Sequence, residues 1–311
     1  MIQGPIRVEI VAPVHNRKEL TLRCLQSLSR INREGLDVGI VIVDDGSTDG
    51  TSDAIGEQFP EVDIVSGDGE LWFTEGTNVG VRRALERDPK YVLLMNDDQV
   101  FDADFLVALV KTAERNPHSV VGSLLLLWET PHKIFQIAPV WSTWHGGWRH
   151  WVSQTVWTVP ERPWKVDLIV GNCLLVPAEA IHECGLMNSK RYPNFGDAEY
   201  TPRLRKAGWD LIIDPRSRVF CQPNTSPGRI RNMGFAKLFN ALFVDLKSFQ
   251  SLRRRLYAYL DTAPSKLQGF AAFFIFLARA ATGNNAESDR WGKTQIEEPL
   301  SKTFASAVLN D

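Results

Sequence analysis

The apolar run Tyr91-Val92-Leu93-Leu94-Met95 stops at Asn96-Asp97-Asp98, and this abrupt change constrains the fold more than any other stretch. An uninterrupted apolar run bounded by turn formers reads as a strand buried on both faces, as in parallel sheets covered by helices. Carboxylates then emerge at its C-terminal end, where open α/β sheets bind ligands. Two acids there can hold a divalent cation through hard oxygen ligands, although taken alone they also describe a solvated turn.

The preceding chain repeats the pattern. Arg7–Val14 reads as a strand ending near Pro13, followed by the loop His15-Asn16-Arg17. Leu20, Leu22, Leu25, Leu28 and Ile31 predict a helix over 18–31. A second strand, Val38–Val43, runs into Asp44-Asp45-Gly46-Ser47-Thr48-Asp49-Gly50-Thr51 and a helix that reaches Phe59. Val62–Val65 is a short third strand, and a Gly-containing loop over 66–80, with Trp72 and Phe73 inside it, leads to a helix over 78–87. Strands alternating with helices predict an α/β, doubly wound, mostly parallel sheet. Asp44 and Asp45, Asp68, and Asp97 and Asp98 then share one sheet edge. Such an edge can hold the base and ribose of a nucleotide by hydrogen bonds and its diphosphate through a cation. No GxGxxG follows the first strand and no GxxxxGK[ST] occurs, which argues against nicotinamide and P-loop chemistry.

A chain of 311 residues can bury a large core in one domain or two. Its net charge of −2 offers no basic field for nucleic acid. The four cysteines are widely spaced, without a CxxC pair, as expected of a cytoplasmic protein rather than a disulfide framework or a zinc site. Neither a signal peptide nor an 18-residue apolar span is expected.

The second half opens with a predicted helix over 102–116 and a strand over Val120–Trp128. Seven of the ten tryptophans then fall between Trp128 and Trp164. Tryptophan faces stack on sugar rings, so Trp144 and Trp148 are candidates for acceptor binding, as is Trp72; the same cluster can equally close a small core or a subunit interface. His145 and His150 lie five apart without a helical pattern and make a poor metal pair. Val166–Pro177 reads as a strand in which Gly171 permits a close backbone approach beside Asn172. A helix over 178–184 follows, then Gly196-Asp197-Ala198-Glu199 opening another helix, and two short strands, Leu211–Pro215 and Arg218–Cys221. Asp197 at a helix N-terminus is stabilised as the anion and can also be a simple cap. Phe235, Leu238, Phe239, Leu242, Phe243 and Leu246 predict an amphipathic helix. Arg253-Arg254-Arg255, Lys266 and the apolar run 270–278 follow, either an interfacial membrane helix or a helix pair packed on the catalytic domain or a homodimer partner.

Four of these stretches together resemble the family 2 glycosyltransferases, which have the nucleotide-sugar-binding GT-A fold. They are Val11-Ala12-Pro13-Val14 with Asn16-Arg17, Val43-Asp44-Asp45-Gly46-Ser47-Thr48-Asp49-Gly50-Thr51, Gly76-Thr77-Asn78-Val79-Gly80, and Leu94-Met95-Asn96-Asp97-Asp98, in the order and at the spacing of that family. The resemblance implies that Pro13, Val14, Asn16, Arg17, Asp44, Asp45, Ser47, Asp68, Gly76, Asn78, Asn96 and Asp97 form the donor-nucleotide side. Asp98, as the final acid of an Asp-x-Asp-like motif whose first position is Asn96, would bind Mg²⁺ or Mn²⁺. Asp197 would be the catalytic base, with Glu199 in reserve because Gly196 replaces the usual acid before Asp197. Gly171 and Asn172 would lie under the donor sugar, on the acceptor side. Many members carry a later histidine ligand; here Cys221-Gln222-Pro223-Asn224 stands in its place, followed by Arg229 and Arg231.

The expectation is an inverting, metal-dependent transferase that uses a UDP-, GDP- or dTDP-linked sugar and a glycan or lipid-linked glycan acceptor, with rhamnosyl transfer in bacterial surface-polysaccharide synthesis as the more particular guess. The expected organisation is a catalytic domain over 1–228 (a nucleotide half to 101, an acceptor half with a Trp-rich insert at 128–164), helices over 229–283 and a polar tail. Its expected place is the cytoplasm or the inner face of the cell membrane. The rivals are a non-catalytic carbohydrate- or partner-binding module and a sugar nucleotidyltransferase, the latter lacking its basic Gly-rich loop after the first strand.

Overall fold

The computed structural model describes residues 4–137, 139–149, 154–222 and 234–282. The expected alternation is present through the first hundred residues. Strand β1 (Ile6–Val14) leads to helix α1 (Lys18–Ser29), β2 (Leu36–Asp44), α2 (Thr51–Gln58), β3 (Asp63–Ser66), α3 (Trp72–Leu85) and β4 (Tyr91–Met95). β1 pairs in parallel with both β2 and β4, and β2 with β3, so the C-terminal ends of all four strands emerge at one edge. The remaining strands complete a mixed sheet, except for one hairpin that forms a two-stranded sheet of its own. After the short β5 (Gln99–Phe101) and α4 (Phe105–Arg115) come β6 (Ser119–Leu127), β7 (Ile134–Gln136), the hairpin β8 (Val140–Ser142) and β9 (Gly147–Arg149), β10 (Trp164–Lys165), β11 (Cys173–Pro177), α5 (Ala178–Cys184), α6 (Gly196–Lys206) and β12 (Asp210–Cys221). β11 enters antiparallel between β4 and β6, and β12 lies parallel to β6.

Period-two alternation along β1 sends Val8, Ile10, Ala12 and Val14 into one apolar layer and Val11 into another. The first layer meets α1, whose buried Thr21, Cys24, Leu25 and Leu28 follow a helical spacing. On the opposite face, α3, α5 and α6 contribute Val81, Ala84, Ile181, Tyr200 and Leu204. The sheet is therefore covered on both faces, which is why the β4 run needs no polar alternation.

Four boundaries differ from those expected. α3 begins at Trp72, so Trp72 and Phe73 are helical rather than part of a long loop. The two closing strands are one strand, β12, whose pairing with β6 shifts register between Asp214 and Arg218. The Val166–Pro177 segment is a strand only from Cys173. The amphipathic helix expected from Phe235 is a short α7 (Phe235–Phe239) continued by a π-helical turn, Asn240–Val244, and its apolar face is exposed: Phe235, Phe239 and Phe243 all face solvent.

The last two helices, α8 (Leu252–Thr262) and α9 (Lys266–Ala281), pack on each other and on the tryptophan-rich insert. Trp141 meets Trp148 and Tyr259 edge-on, Trp148 Nε1 donates to Thr262 Oγ1 (2.9 Å), and Arg279 donates to the carbonyl of His145 (2.8 Å). These contacts close a small aromatic core between the insert and the last two helices. The expected boundary at 228, His150, Asn224, Arg229, Arg231 and the polar tail lie outside the described residues.

Close packing of α3 on the sheet rests on Gly80, where a Cβ would sit against Val11 Cγ1 and 3.0 Å from Val43 Cγ2. We expect Gly80→Val to destabilise the fold by about 2–3 kcal/mol through overpacking, read as a lower urea midpoint at unchanged m-value; an unchanged midpoint contradicts the packing account.

Candidate active site

At the end of β4 the chain buries two adjacent carboxylates, Asp97 and Asp98, each 3% exposed. Their counter-charge is Arg17, from the β1–α1 turn, whose Nη1 lies 3.0 Å from Asp97 Oδ1 and Nη2 3.0 Å from Asp98 Oδ2. Thr21 Oγ1 also donates to Asp97 Oδ2 (3.0 Å). Burial pushes the Asp97 carboxyl up to about 6 against the pull of Arg17, with the neighbouring Asp98 charge adding to the rise. Asp98 Oδ1 and Asn96 Oδ1 are buried without a hydrogen-bond partner among the described residues.

Unsatisfied hard oxygens at a strand end suit a divalent cation, and Asp98 and Asn96 could hold one. No group of three or more His, Cys, Asp or Glu side chains suited to a metal occurs among the described residues. Such a site fits Mg²⁺ or Mn²⁺ that takes one or two protein oxygens and completes its shell with phosphate and water.

The acids after β2 have structural partners that their sequence pattern did not reveal. Asp44 accepts from Ser47 N (2.9 Å) and from the Ser52 hydroxyl, bracing its own turn. Asp45 accepts from the backbone amides of Gly69 (2.8 Å), Leu71 (3.2 Å) and Trp72 (2.9 Å). It thus caps α3 from a neighbouring strand and shapes the 67–72 turn, in which Trp72 has a left-handed φ of 60°.

Across the cleft, α6 opens with Asp197 in its first turn, where Gly171 N donates to its Oδ2 (2.9 Å). Burial raises its pKa, while backbone donors from Gly171 and Ala198 oppose the rise. A Cβ on Gly171 would collide with Asp197, and one on Gly196 with Thr74. Gly196 is therefore required by the closeness of α3, which explains the departure from an acid at that position. Glu199 is tied to Arg203 (2.7 Å), and its other oxygen is buried without a partner among the described residues.

These groups border one cleft of about 940 Å³. Of the expected residues it is lined by Pro13, Val14, Arg17, Asp45, Trp72, Asn96, Asp97, Trp148, Asn172, Asp197 and Glu199. Others stand behind its wall. Asn16 and Ser47 tie two turns together (Asn16 N to Ser47 Oγ, 2.8 Å), and Asp68 Oδ1 caps Glu70 N (2.9 Å). Gly76 lets α3 approach Pro13, and Asn78 is fully occupied bridging α3 to the backbone of Met187. Gly171 acts through Asp197, and Asp98 lies behind Asp97. Trp144 is 83% exposed and outside the cleft. The sequence reading omitted His15, Phe195, Phe249 and Arg254, which also line it. Only Arg254 carried a signal, as the middle of three arginines.

The sheet, with ligand-type carboxylates gathered at its edge, defines the GT-A class. Two solved structures share this fold. GalNAc-T7, crystallised with UDP, GalNAc and Mn²⁺, superposes with a TM-score of 0.60 at 14% identity over 90% of this chain, which spans 57% of that protein. The mannosyltransferase PcManGT from Pyrobaculum calidifontis, in complex with GDP-Man and Mn²⁺, gives 0.51 at 17% identity, covering 93% of this chain and 79% of its own. The family model described as Glycosyl transferase family 2 matches residues 9–131. The N-acetylglucosaminyl-diphospho-decaprenol L-rhamnosyltransferase of Mycobacterium tuberculosis is 26% identical over 230 residues, 67% of this chain and 73% of the relative. The chain carries a glycosyl transferase family 2 domain and is a glycosyltransferase.

Because the fold raises the pKa of Asp197 above 3.8, the folded state binds its proton more tightly, and stability falls as pH climbs from 3.8 through the raised value. Asp197→Asn removes that loss. Urea titrations at pH 4 and pH 7 should show the variant gaining stability relative to the wild type as pH rises; parallel pH dependences contradict the burial of an ionising Asp197.

Proposed function

We propose that the chain is an inverting, divalent-metal-dependent transferase that moves a sugar, rhamnose in the most particular reading, from a nucleoside diphosphate to a lipid-linked glycan acceptor. The observation that carries this is the placement of Asp97, with Asp98 beside it on the same Arg17, and of Asp197 around a single cleft. Support for the acceptor class comes from the mycobacterial relative, whose name specifies an N-acetylglucosaminyl-diphospho-decaprenol acceptor.

In this reading residues 1–228 are the catalytic domain, and Asp98, with Asn96 beside it, would hold Mg²⁺ or Mn²⁺. When bound, the ion neutralises charge developing on the departing diphosphate. Arg17 pairs with both carboxylates and holds them in register before substrate arrives. Asp45 positions the Gly69–Trp72 backbone that borders the donor. Asp197 accepts the proton of the acceptor hydroxyl as that oxygen bonds to the anomeric carbon and the nucleoside diphosphate leaves from the opposite face. Burial raises the Asp197 pKa, which makes its carboxylate a stronger proton acceptor than an exposed aspartate, while the Gly171 and Ala198 amides at the helix N-terminus favour the anion.

Two features favour work at the inner membrane surface. Segment 234–282 contains seven Lys and Arg against two Asp, although the whole chain is at −2. It also exposes Phe235, Phe239, Phe243 and Phe274. Basic charge beside exposed apolar rings suits an anionic bilayer interface, and none of the described helices is long and apolar enough to cross a membrane.

Incubation with dTDP-rhamnose, Mn²⁺ and a GlcNAc-diphospho-prenol should yield a product whose anomeric configuration, read by NMR, is opposite to the donor's. Asp98→Ala and Asp197→Ala should each lower the rate by about 10²-fold or more with unchanged circular dichroism. Retained configuration, or full activity in either variant, overturns the mechanism. The protein should float with vesicles containing anionic lipid and release at high salt, and Phe239→Ser with Phe243→Ser should weaken flotation; equal binding by the double variant removes α7 from the membrane contact.

A further inference from the structure

Arg254, the second arginine of the Arg253-Arg254-Arg255 run on α8, lines the catalytic cleft and is only 8% exposed. Its partners are neutral: Nη1 donates to the carbonyl of Leu246 (3.0 Å), Nη2 to that of Phe249 (3.3 Å), and the guanidinium lies 4.5 Å from the centroid of the Phe195 ring. It makes no ion pair among the described residues. By contrast, Arg17, which also lines the cleft, bridges two carboxylates.

A buried guanidinium whose direct hydrogen-bond partners are all neutral keeps donor capacity for an incoming anion. Burial and the adjacent Arg255 lower the Arg254 pKa to about 10, while the more distant Asp245 carboxylate partly opposes the drop, so the charge is kept at neutrality. Desolvation also strengthens any attraction to an incoming anion. The guanidinium fork matches phosphate oxygens, and the two carbonyl contacts hold it from behind.

We infer that Arg254 is the receptor for a diphosphate group entering the cleft, and that its aromatic surroundings assign it to a prenyl-diphosphate-linked acceptor. Phe195, on which Arg254 stacks, stands two residues before Asp197. Phe249, edge-on to Phe195, also lines the cleft and is 52% exposed. A diphosphate at Arg254 would therefore have an apolar chain leading outward along Phe249 and its sugar directed inward to Asp197. The donor's own diphosphate is the other source of the same chemistry, and it is placed instead by the Asp97–Asp98 end of the cleft. The inference rests on the lipid-linked acceptor reading above.

The test is binding, independent of transfer. Isothermal titration with farnesyl diphosphate, farnesol and dTDP is carried out on the wild type, Arg254→Met, Arg254→Lys and Asp98→Ala, each checked for a cooperative thermal transition. Farnesyl diphosphate should bind the wild type and weaken at least 10-fold in Arg254→Met, with Arg254→Lys intermediate. Farnesol should be indifferent to Arg254, and dTDP binding should survive both Arg254 variants. Asp98→Ala should bind farnesyl diphosphate normally, so a failed transfer mechanism and a failed Arg254 assignment give different results. Unchanged farnesyl diphosphate affinity in a folded Arg254→Lys and Arg254→Met pair overturns the inference, as does a loss confined to dTDP, which would assign the group to the donor.

Discussion

The cleft depends on one arginine bridging two buried carboxylates. Asp97 and Asp98 are adjacent and nearly inaccessible, and two buried carboxylates side by side repel each other unless a cation compensates them. Arg17 reaches across from the turn after β1 and gives one nitrogen to each. Because β1 and β4 are parallel neighbours, a side chain three residues past the end of one strand meets the first acids past the end of the other. Sheet register, charge balance and the donor end of the cleft are thus set together.

The other carboxylates of the site are held by backbone rather than by cations. Asp45 collects three amides of the turn into α3, and Asp197 takes the amide of Gly171 at the head of α6. Peptide dipoles favour an anion without adding a competing positive charge, and the amides fix these side chains in direction. The two strategies fit two tasks. A carboxylate paired with an arginine side chain can exchange that partner for another cation, whereas one held by amides keeps its geometry while it receives a proton.

Much of the fold was legible because the early strands are apolar runs that end on acids, and burial on both faces leaves few ways to arrange them. The gathering of Asp45 and Asp97 at one end of the sheet followed from the same pattern. What was hidden were second partners. Nothing in Asp44-Asp45 distinguishes an acid aimed at a ligand from one capping a helix nearly thirty residues later, and Asn78 has the composition of a ligand residue but bridges two backbones. α3 starts six residues before its periodicity suggests because Asp45 caps it from outside. Phe235, Phe239 and Phe243 have the spacing of a core helix, yet their face is left open, and spacing alone cannot say what covers an apolar stripe. The tryptophan insert was ambiguous for a related reason, since its partners Tyr259 and Thr262 lie more than a hundred residues away.

The central claim is that the β4 strand end receives a cation together with the donor diphosphate. A crystal of the protein grown with Mn²⁺ and a nucleoside diphosphate, with anomalous data collected at the manganese edge, tests it most directly. The account predicts one manganese peak within coordination distance of Asp98, bridged to the diphosphate, with Arg17 withdrawn from that carboxylate. A nucleotide bound in the cleft with no manganese at Asp98, or with Arg17 still bridging both acids, would contradict it.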